Sequence, residues 1–225
     1  MKDPVADSPD PRRRALVVAV RIAAAALGAL LIAAAFPPYH LAALAPVGVA
    51  VTTAAWWRAS RWSAIVAGVI AGIAFNLVLL SWISVLGDDA WIALSVVMGM
   101  WWILMALGVA AITWWRWWPL GIAAIWVLQE ALRGRLPWGG FPWGRLAFAQ
   151  TDSTFTAWAS LFGAAAVTAV TALVGALLLW VLQALRRREW WAVGAGAVGI
   201  AAITGAGALI PLPITGTGEP VTSTL

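Results

Sequence analysis

EALRGRLPWGGFPW, residues 130–143, closes an apolar run and then breaks the rules that run obeys. It carries Glu130, Arg133 and Arg135 where hydrocarbon should be ending, and turns on Pro137, Gly139, Gly140 and Pro142 with Trp138, Phe141 and Trp143 between them. Proline lacks the amide proton and clashes with the preceding turn, so a helix cannot continue here. Irregular backbone at membrane depth survives only where it is buried in protein or lines a wet cavity. The stretch therefore predicts a re-entrant or interfacial loop at the mouth of a helical bundle. Arg133 lies three residues beyond Glu130, on the same helical face and within reach of it. An ionisable group at the end of an apolar helix is costly unless paired. It marks either a structural ion pair that pins the helix end or a functional site, and both readings stand on the residues alone.

The composition agrees with a membrane setting. Of 225 residues, 63% are hydrophobic and 10% charged, with a mean hydropathy of +0.91, whereas soluble domains sit near about half apolar and about a quarter charged. The fold class this implies is all-α and polytopic. The net charge of +5 comes from short basic clusters between apolar runs, which read as topology signals and not as a nucleic-acid surface. There is no cysteine, which excludes disulfides, thiolate metal sites and a cysteine nucleophile within these residues. His40 is the lone histidine and reads as a surface residue, and Met98, Met100 and Met105 read as bundle packing. Nothing calls for a resident metal or cofactor.

Seven apolar runs follow one another, at 15–35, 41–57, 62–86, 90–115, 117–136, 155–185 and 190–210. Each is about the length a bilayer requires, so the expectation is a bundle of about seven transmembrane helices. Arg12, Arg13, Arg14, Arg58, Arg61, Arg116 and Arg186 to Arg188 fall at alternate ends of the runs. By the positive-inside bias they place the N-terminus in the cytoplasm and the C-terminus in the periplasm. A cleaved signal peptide is the rival reading of the first run. The polar residues 1–14 read as a disordered tail, 15–210 as the transmembrane domain and 211–225 as a periplasmic tail. Trp56, Trp57, Trp62, Trp114, Trp115, Trp117, Trp118, Trp190 and Trp191 flank the runs beside arginines, as an interfacial aromatic belt does. Trp82, Trp91, Trp138, Trp143 and Trp158 gather at the opposite ends.

Within the runs, Gly68 and Gly72, and the five glycines between 194 and 207, predict close helix contacts. Asn76, Ser81 and Ser84 should face neighbouring helices, for hydrogen bonding between them or for contact with a substrate. Arg133, Arg135 and Arg145 stand outside, against the basic bias. They suit an anionic partner such as a lipid phosphate, whose oxygens match the guanidinium fork.

Five pieces carry a family likeness: FPPY at 36–39, Asn76 with Ser81 and Trp82, QEALRG at 129–134, FPWG at 141–144 and AFAQTD at 147–152. In this order and spacing the chain resembles, over residues 15–210, the membrane-embedded N-terminal domain of bacterial apolipoprotein N-acyltransferase. The resemblance implies a multi-pass protein of the bacterial cytoplasmic membrane. Such enzymes move an acyl chain from a glycerophospholipid, through a cysteine thioester, to the amine of a lipoprotein's N-terminal diacylglyceryl cysteine. It also implies a periplasmic nitrilase-like domain supplying a Glu base, a Lys and the Cys nucleophile. No residue here matches that triad, so no catalytic residue is assigned. The expectation is a truncated or split protein, inactive alone, whose catalytic domain follows residue 225.

By the same resemblance, Glu130, Arg133, Arg135, Trp138, Phe141 and Trp143, with Asn76 and Trp82, would form a cavity for phospholipid and lipoprotein acyl chains. The partner would be a separate or fused nitrilase-like or glycosyltransferase domain. A non-catalytic anchor or scaffold, for instance for a polyprenol-phosphate mannose synthase, is the alternative. A small transporter is a third reading, opposed by the missing internal repeat and the scarcity of intramembrane charge.

Overall fold

The computed structural model describes residues 10–137 and 139–211. Residues 1–9 and 212–225, most of the two expected tails, lie outside the described residues. Backbone amides and carbonyls in hydrocarbon must satisfy one another locally, and the apolar runs accordingly form helices, with no strand among the described residues. In chain order these are α1 (Pro11–Ala33), α2 (Leu44–Trp56), α3 (Arg61–Leu79), α4 (Asp88–Gly99), α5 (Trp101–Ile112), α6 (Trp118–Arg133), α7 (Ala159–Arg187) and α8 (Trp190–Leu209). The protein is an all-α, multi-pass membrane protein. Five helical stretches are long and apolar enough to cross a bilayer: α1, α3, α4 with α5, α7 with the short 3-10 turn before it, and α8. At 13 and 16 residues, α2 and α6 are shorter.

Local chemistry sets the helix ends. α1 starts ahead of its apolar run because Pro11 needs no amide partner in the first turn and the Asp10 carboxylate accepts from Arg12 N at 2.9 Å. Pro46 sits in the first turn of α2, where it breaks no hydrogen bond. Three expectations need correction. The third run stops being α-helical at Leu79 and ends in a 3-10 turn, Ser81–Leu86, in which Ser81 and Ser84 are exposed and do not face neighbouring helices. Asn76 is buried, but its side-chain amide donates to Gly72 O of its own helix, at 2.8 Å. The sixth run is interrupted where Phe162 and Gly163 leave helical geometry, with Gly163 at φ 63°.

α1, α2 and α3 pack on one another, α3 continues against α4 and α5, and α7 is the spine that touches α2, α6 and α8. Aromatic rings fill the centre: Trp102 meets Phe75 at 5.1 Å, Trp126 at 5.8 Å and Trp56 at 6.1 Å between ring centroids. Trp56 and Trp118 are therefore core residues and not part of the interfacial belt. An indole in the last turn of α2 or the first of α6 points inward wherever those helices pack on α5 and α7. Trp62, Trp114, Trp115, Trp117, Trp190 and Trp191 do remain exposed.

The close approach expected of Gly68 and Gly72 is present. A methyl group added to Gly72 would lie 2.8 Å from the Cα of Gly99 and from Cγ of Trp102. In α8 the expectation holds only partly, because Gly196 and Gly207 abut neighbours while Gly194 and Gly205 face open space.

The two ends of the bundle differ in chemistry. Arg58, Arg116 and Arg187 line one cavity, and Arg13, Arg14 and Arg21 line another. Arg21 also serves a helix end. Its guanidinium donates to Ala55 O and Trp57 O, both at 3.0 Å, and so closes the free carbonyl end of α2. Arg133 lies at the other end of α6, about 22 Å from Trp118 at the rise of an α-helix.

Candidate functional site

The last turn of α6 carries Glu130 and Arg133 on one face, as their spacing requires, and both are buried, at 5% and 4% exposure. They are not ion-paired with each other. Among the described residues the one approach of a carboxylate to a basic side chain within 4.0 Å is His40 Nδ1 to Asp152 Oδ2, at 4.0 Å. Glu130 instead accepts from the backbone N–H of Leu146 at 2.8 Å through Oε1 and from the Thr168 hydroxyl at 2.7 Å through Oε2. This corrects the direct pair expected from the sequence. Each charged group finds better-aligned partners in the chain that folds back over the helix end.

Arg133 reads that returning chain. Its guanidinium donates to Phe141 O and Gly144 O, each at 3.3 Å, and to Trp143 O. The backbone N–H of Phe141 donates to Arg133 O at 2.8 Å, so the loop is tied to α6 by both side chain and main chain. Gly140, at φ 78°, passes so close to the backbone of Gly134 and Arg135 that a Cβ there would collide with it. Only glycine fits both demands.

The loop holds up a run of rings. Trp143 stacks on Phe141 at 6.2 Å and 23° and meets Trp82, from the turn after α3, at 5.1 Å and 32°. Phe141 packs against the small core of Leu80, Ile83 and Met98. Trp82 and Trp143 are each 51% exposed, so they offer a broad apolar face with polar N–H edges.

Below the loop lies a cavity of about 110 Å³, lined by Val127, Glu130, Ala131, Arg135, Arg145 and Ala165. At about 30 Å³ per water it holds a few waters and no acyl chain. Arg145 Nε, from a residue lining this cavity, and Arg133 Nε and Gln129 Nε2, from the last turns of α6, are buried without a hydrogen-bond partner in the protein. Such groups are costly to leave dry, which favours bound water or an anion beside them.

Of the residues singled out from the sequence, Phe141, Trp143 and Trp82 are brought together, with Glu130 and Arg133 beneath the loop as its braces. Arg135 lines the small cavity and donates to Ala131 O at 3.1 Å. Asn76 takes no hydrogen bond to this group. Trp138 lies outside the described residues. Three residues were not singled out for the site: Thr168, Leu146 and Gln150. The amide of Gln150 donates to Ala42 O at 3.0 Å and fastens the segment after the loop to the turn between α1 and α2. Thr168 could have been suspected as a hydroxyl inside an apolar run; a backbone N–H such as that of Leu146 leaves no mark in a sequence. The arrangement can hold an apolar chain and an anion. Each oxygen of its Glu130 carboxylate already accepts one hydrogen bond.

A family profile described as apolipoprotein N-acyltransferase N-terminal domain matches residues 28–177. A curated relative from Methylococcus capsulatus, named apolipoprotein N-acyltransferase, is 29% identical over 180 residues, which cover 72% of this chain and 35% of that protein. The chain thus spans about a third of the length of the curated relative it matches. The matched region runs from the last turns of α1 into the second half of α7 and contains the braced loop, Thr168 and the Trp82 turn. By that match the chain belongs to the apolipoprotein N-acyltransferase N-terminal domain family.

Proposed function

We propose that this chain is the membrane domain of a lipoprotein N-acyltransferase in the bacterial cytoplasmic membrane, and that the loop at 134–145 guides lipid acyl chains to a catalytic domain. The single observation that carries the reading is the Phe141–Trp143–Trp82 run, its two tryptophans half exposed, held by two buried charged side chains at one end of the bundle. Rings of this kind bind acyl chains by area and lie at the depth where headgroup meets hydrocarbon. The seven apolar runs would cross the bilayer with the arginine-rich end in the cytoplasm, which puts the aromatic loop on the periplasmic side. Phospholipid and lipoprotein chains would approach it sideways from the outer leaflet.

The acyl chemistry would fall to a nitrilase-like domain, fused or separate, because a cysteine thioester needs a thiol and none of the 225 residues is cysteine. Within that division of labour, Glu130 and Arg133 position the loop and do not touch the reacting atoms. The test is to delete the encoding gene in the source cell and to weigh the N-terminal peptides of its lipoproteins by mass spectrometry. Loss of the N-linked acyl group, restored by the intact gene and only weakly by the Trp82→Ala/Trp143→Ala double variant, is the expected result. Lipoproteins that keep the N-acyl group after deletion would overturn the reading.

A further inference from the structure

At the end of the bundle away from the aromatic loop, two cavities lie side by side. The first, about 210 Å³, lies among the ends of α2, α5 and α7 and is lined by Arg58, Arg116, Arg187 and Glu189, with Trp114 and Trp180. The second, about 710 Å³, is a groove along α6, α7 and α8 whose walls include Leu120, Leu173, Leu177, Trp191 and Ile203. Arg116, Trp118 and Trp180 line both, so the polar cavity and the apolar one adjoin across shared side chains.

The polar cavity is charged and shaped in advance. Three guanidinium groups face one carboxylate, and among the described residues none of the three lies within 4.0 Å of a carboxylate oxygen. Arg58 is held over the Trp114 ring at 4.2 Å, and its backbone N–H donates to the Thr113 hydroxyl at 3.3 Å. Arg116 lies over Trp117 at 4.9 Å. Stacking on indoles leaves the edges of the guanidinium groups free to donate, the arrangement that suits phosphate oxygens. The groove continues for about 18 Å from Trp191 to Ile203 along α8, against about 15 Å for one leaflet of the hydrocarbon core.

We propose that the two cavities together bind one anionic glycerophospholipid, its phosphate among Arg58, Arg116 and Arg187 and an acyl chain along the groove. The site is separate from the aromatic loop and does not depend on the acyltransferase reading. A zwitterionic lipid would bring its ammonium group into the same cluster of positive charge and is disfavoured. Free phosphate would satisfy the arginines but leave the groove empty.

The experiment is native mass spectrometry of the purified, delipidated chain titrated with dioleoyl phosphatidylglycerol, dioleoyl phosphatidylcholine or inorganic phosphate. One tightly retained phosphatidylglycerol per chain is expected, favoured over phosphatidylcholine by about tenfold or more. The Arg58→Gln/Arg116→Gln variant should lose that preference, whereas Arg61→Gln/Arg186→Gln, which removes the same charge outside the cavity, should keep most of it. Ala202→Phe, which fills the groove from an exposed position on α8, should weaken retention of the lipid without changing its headgroup preference; Ala202→Leu serves if the larger ring impairs folding. Equal retention of the two lipids by the wild-type chain would overturn the proposal. So would a preference that survives the Arg58/Arg116 change. Retention of inorganic phosphate alone, indifferent to either Ala202 variant, would make this an anion site and overturn the lipid assignment.

Discussion

The Glu130 carboxylate on α6 accepts a hydrogen bond of 2.7 Å from the Thr168 hydroxyl on α7, 38 positions later in the chain. That bond, with the one from Leu146 N, turns a charge that would be prohibitive in hydrocarbon into a clasp between two helices and a returning loop. Burying a carboxylate without such donors costs far more than either bond returns.

Removing the clasp should be expensive. Glu130→Ala leaves the Leu146 amide unpaired and the Thr168 hydroxyl without its acceptor, and should lower stability by about 2–4 kcal/mol. Thr168→Val removes one of two donors to a charged acceptor and should cost about 1.5–3 kcal/mol. Glu130→Gln keeps an acceptor for Leu146 and should be the mildest of the three. Thermal unfolding of the purified variants in detergent ranks them, and a Glu130→Ala protein as stable as wild type would remove the clasp from the account.

Arg133→Lys tests the fork. One ammonium cannot reproduce planar donation to carbonyls at 141, 143 and 144. The loop should loosen while α6 stays intact. Hydrogen exchange should rise in residues 134–145 by about tenfold, with little change in 118–130, for a loss of about 1.4 kcal/mol in local stability. Exchange rising uniformly along α6 would mean that Arg133 supports the whole helix and not the loop.

Trp82 and Trp143 should separate binding from folding. Both are half exposed, and their stacking contributes only about 0.5–1.5 kcal/mol, so alanine at either position should leave the unfolding temperature nearly unchanged. Labelling by a phospholipid with a photoactivatable acyl chain should nevertheless fall severalfold in residues 75–90 and 134–145. Unchanged labelling in the double variant would take the rings out of the lipid path.

Two glycines make opposite predictions. Gly72→Ala forces α3 away from Gly99 and Trp102 and should cost about 1–3 kcal/mol as overpacking. Gly194→Ala meets nothing within 4 Å and should raise stability by up to about 1 kcal/mol through helix propensity. Unfolding temperatures moving in the same direction for both would contradict the packing described.

Much of the fold was legible because hydrocarbon leaves the backbone few choices. Each apolar run had to become helical over most of its length, and Pro137, Gly140 and Pro142 kept α6 from continuing, whatever lay beside them. What the helices touch was not legible in the same way. Trp56 and Trp62 both sit beside arginines in the sequence, yet one is fully buried and the other exposed, since that depends on where α5 crosses α2. The braced loop was half visible: its charges and rings stood out, but the spacing of Glu130 and Arg133 suggested that they pair with each other.

The sequence by itself determined that this is a membrane-embedded helical protein of its family with charge at the end of the 118–133 helix, because hydropathy, proline chemistry and motif order are local properties. The tertiary structure alone decided that Glu130 and Arg133 bind Thr168, Leu146 and three loop carbonyls. It alone also decided that Arg58, Arg116 and Arg187 meet at one cavity. The reason is that hydrogen-bond partners are chosen by distance and direction in space, and helices that pack side by side bring together residues that the chain keeps far apart.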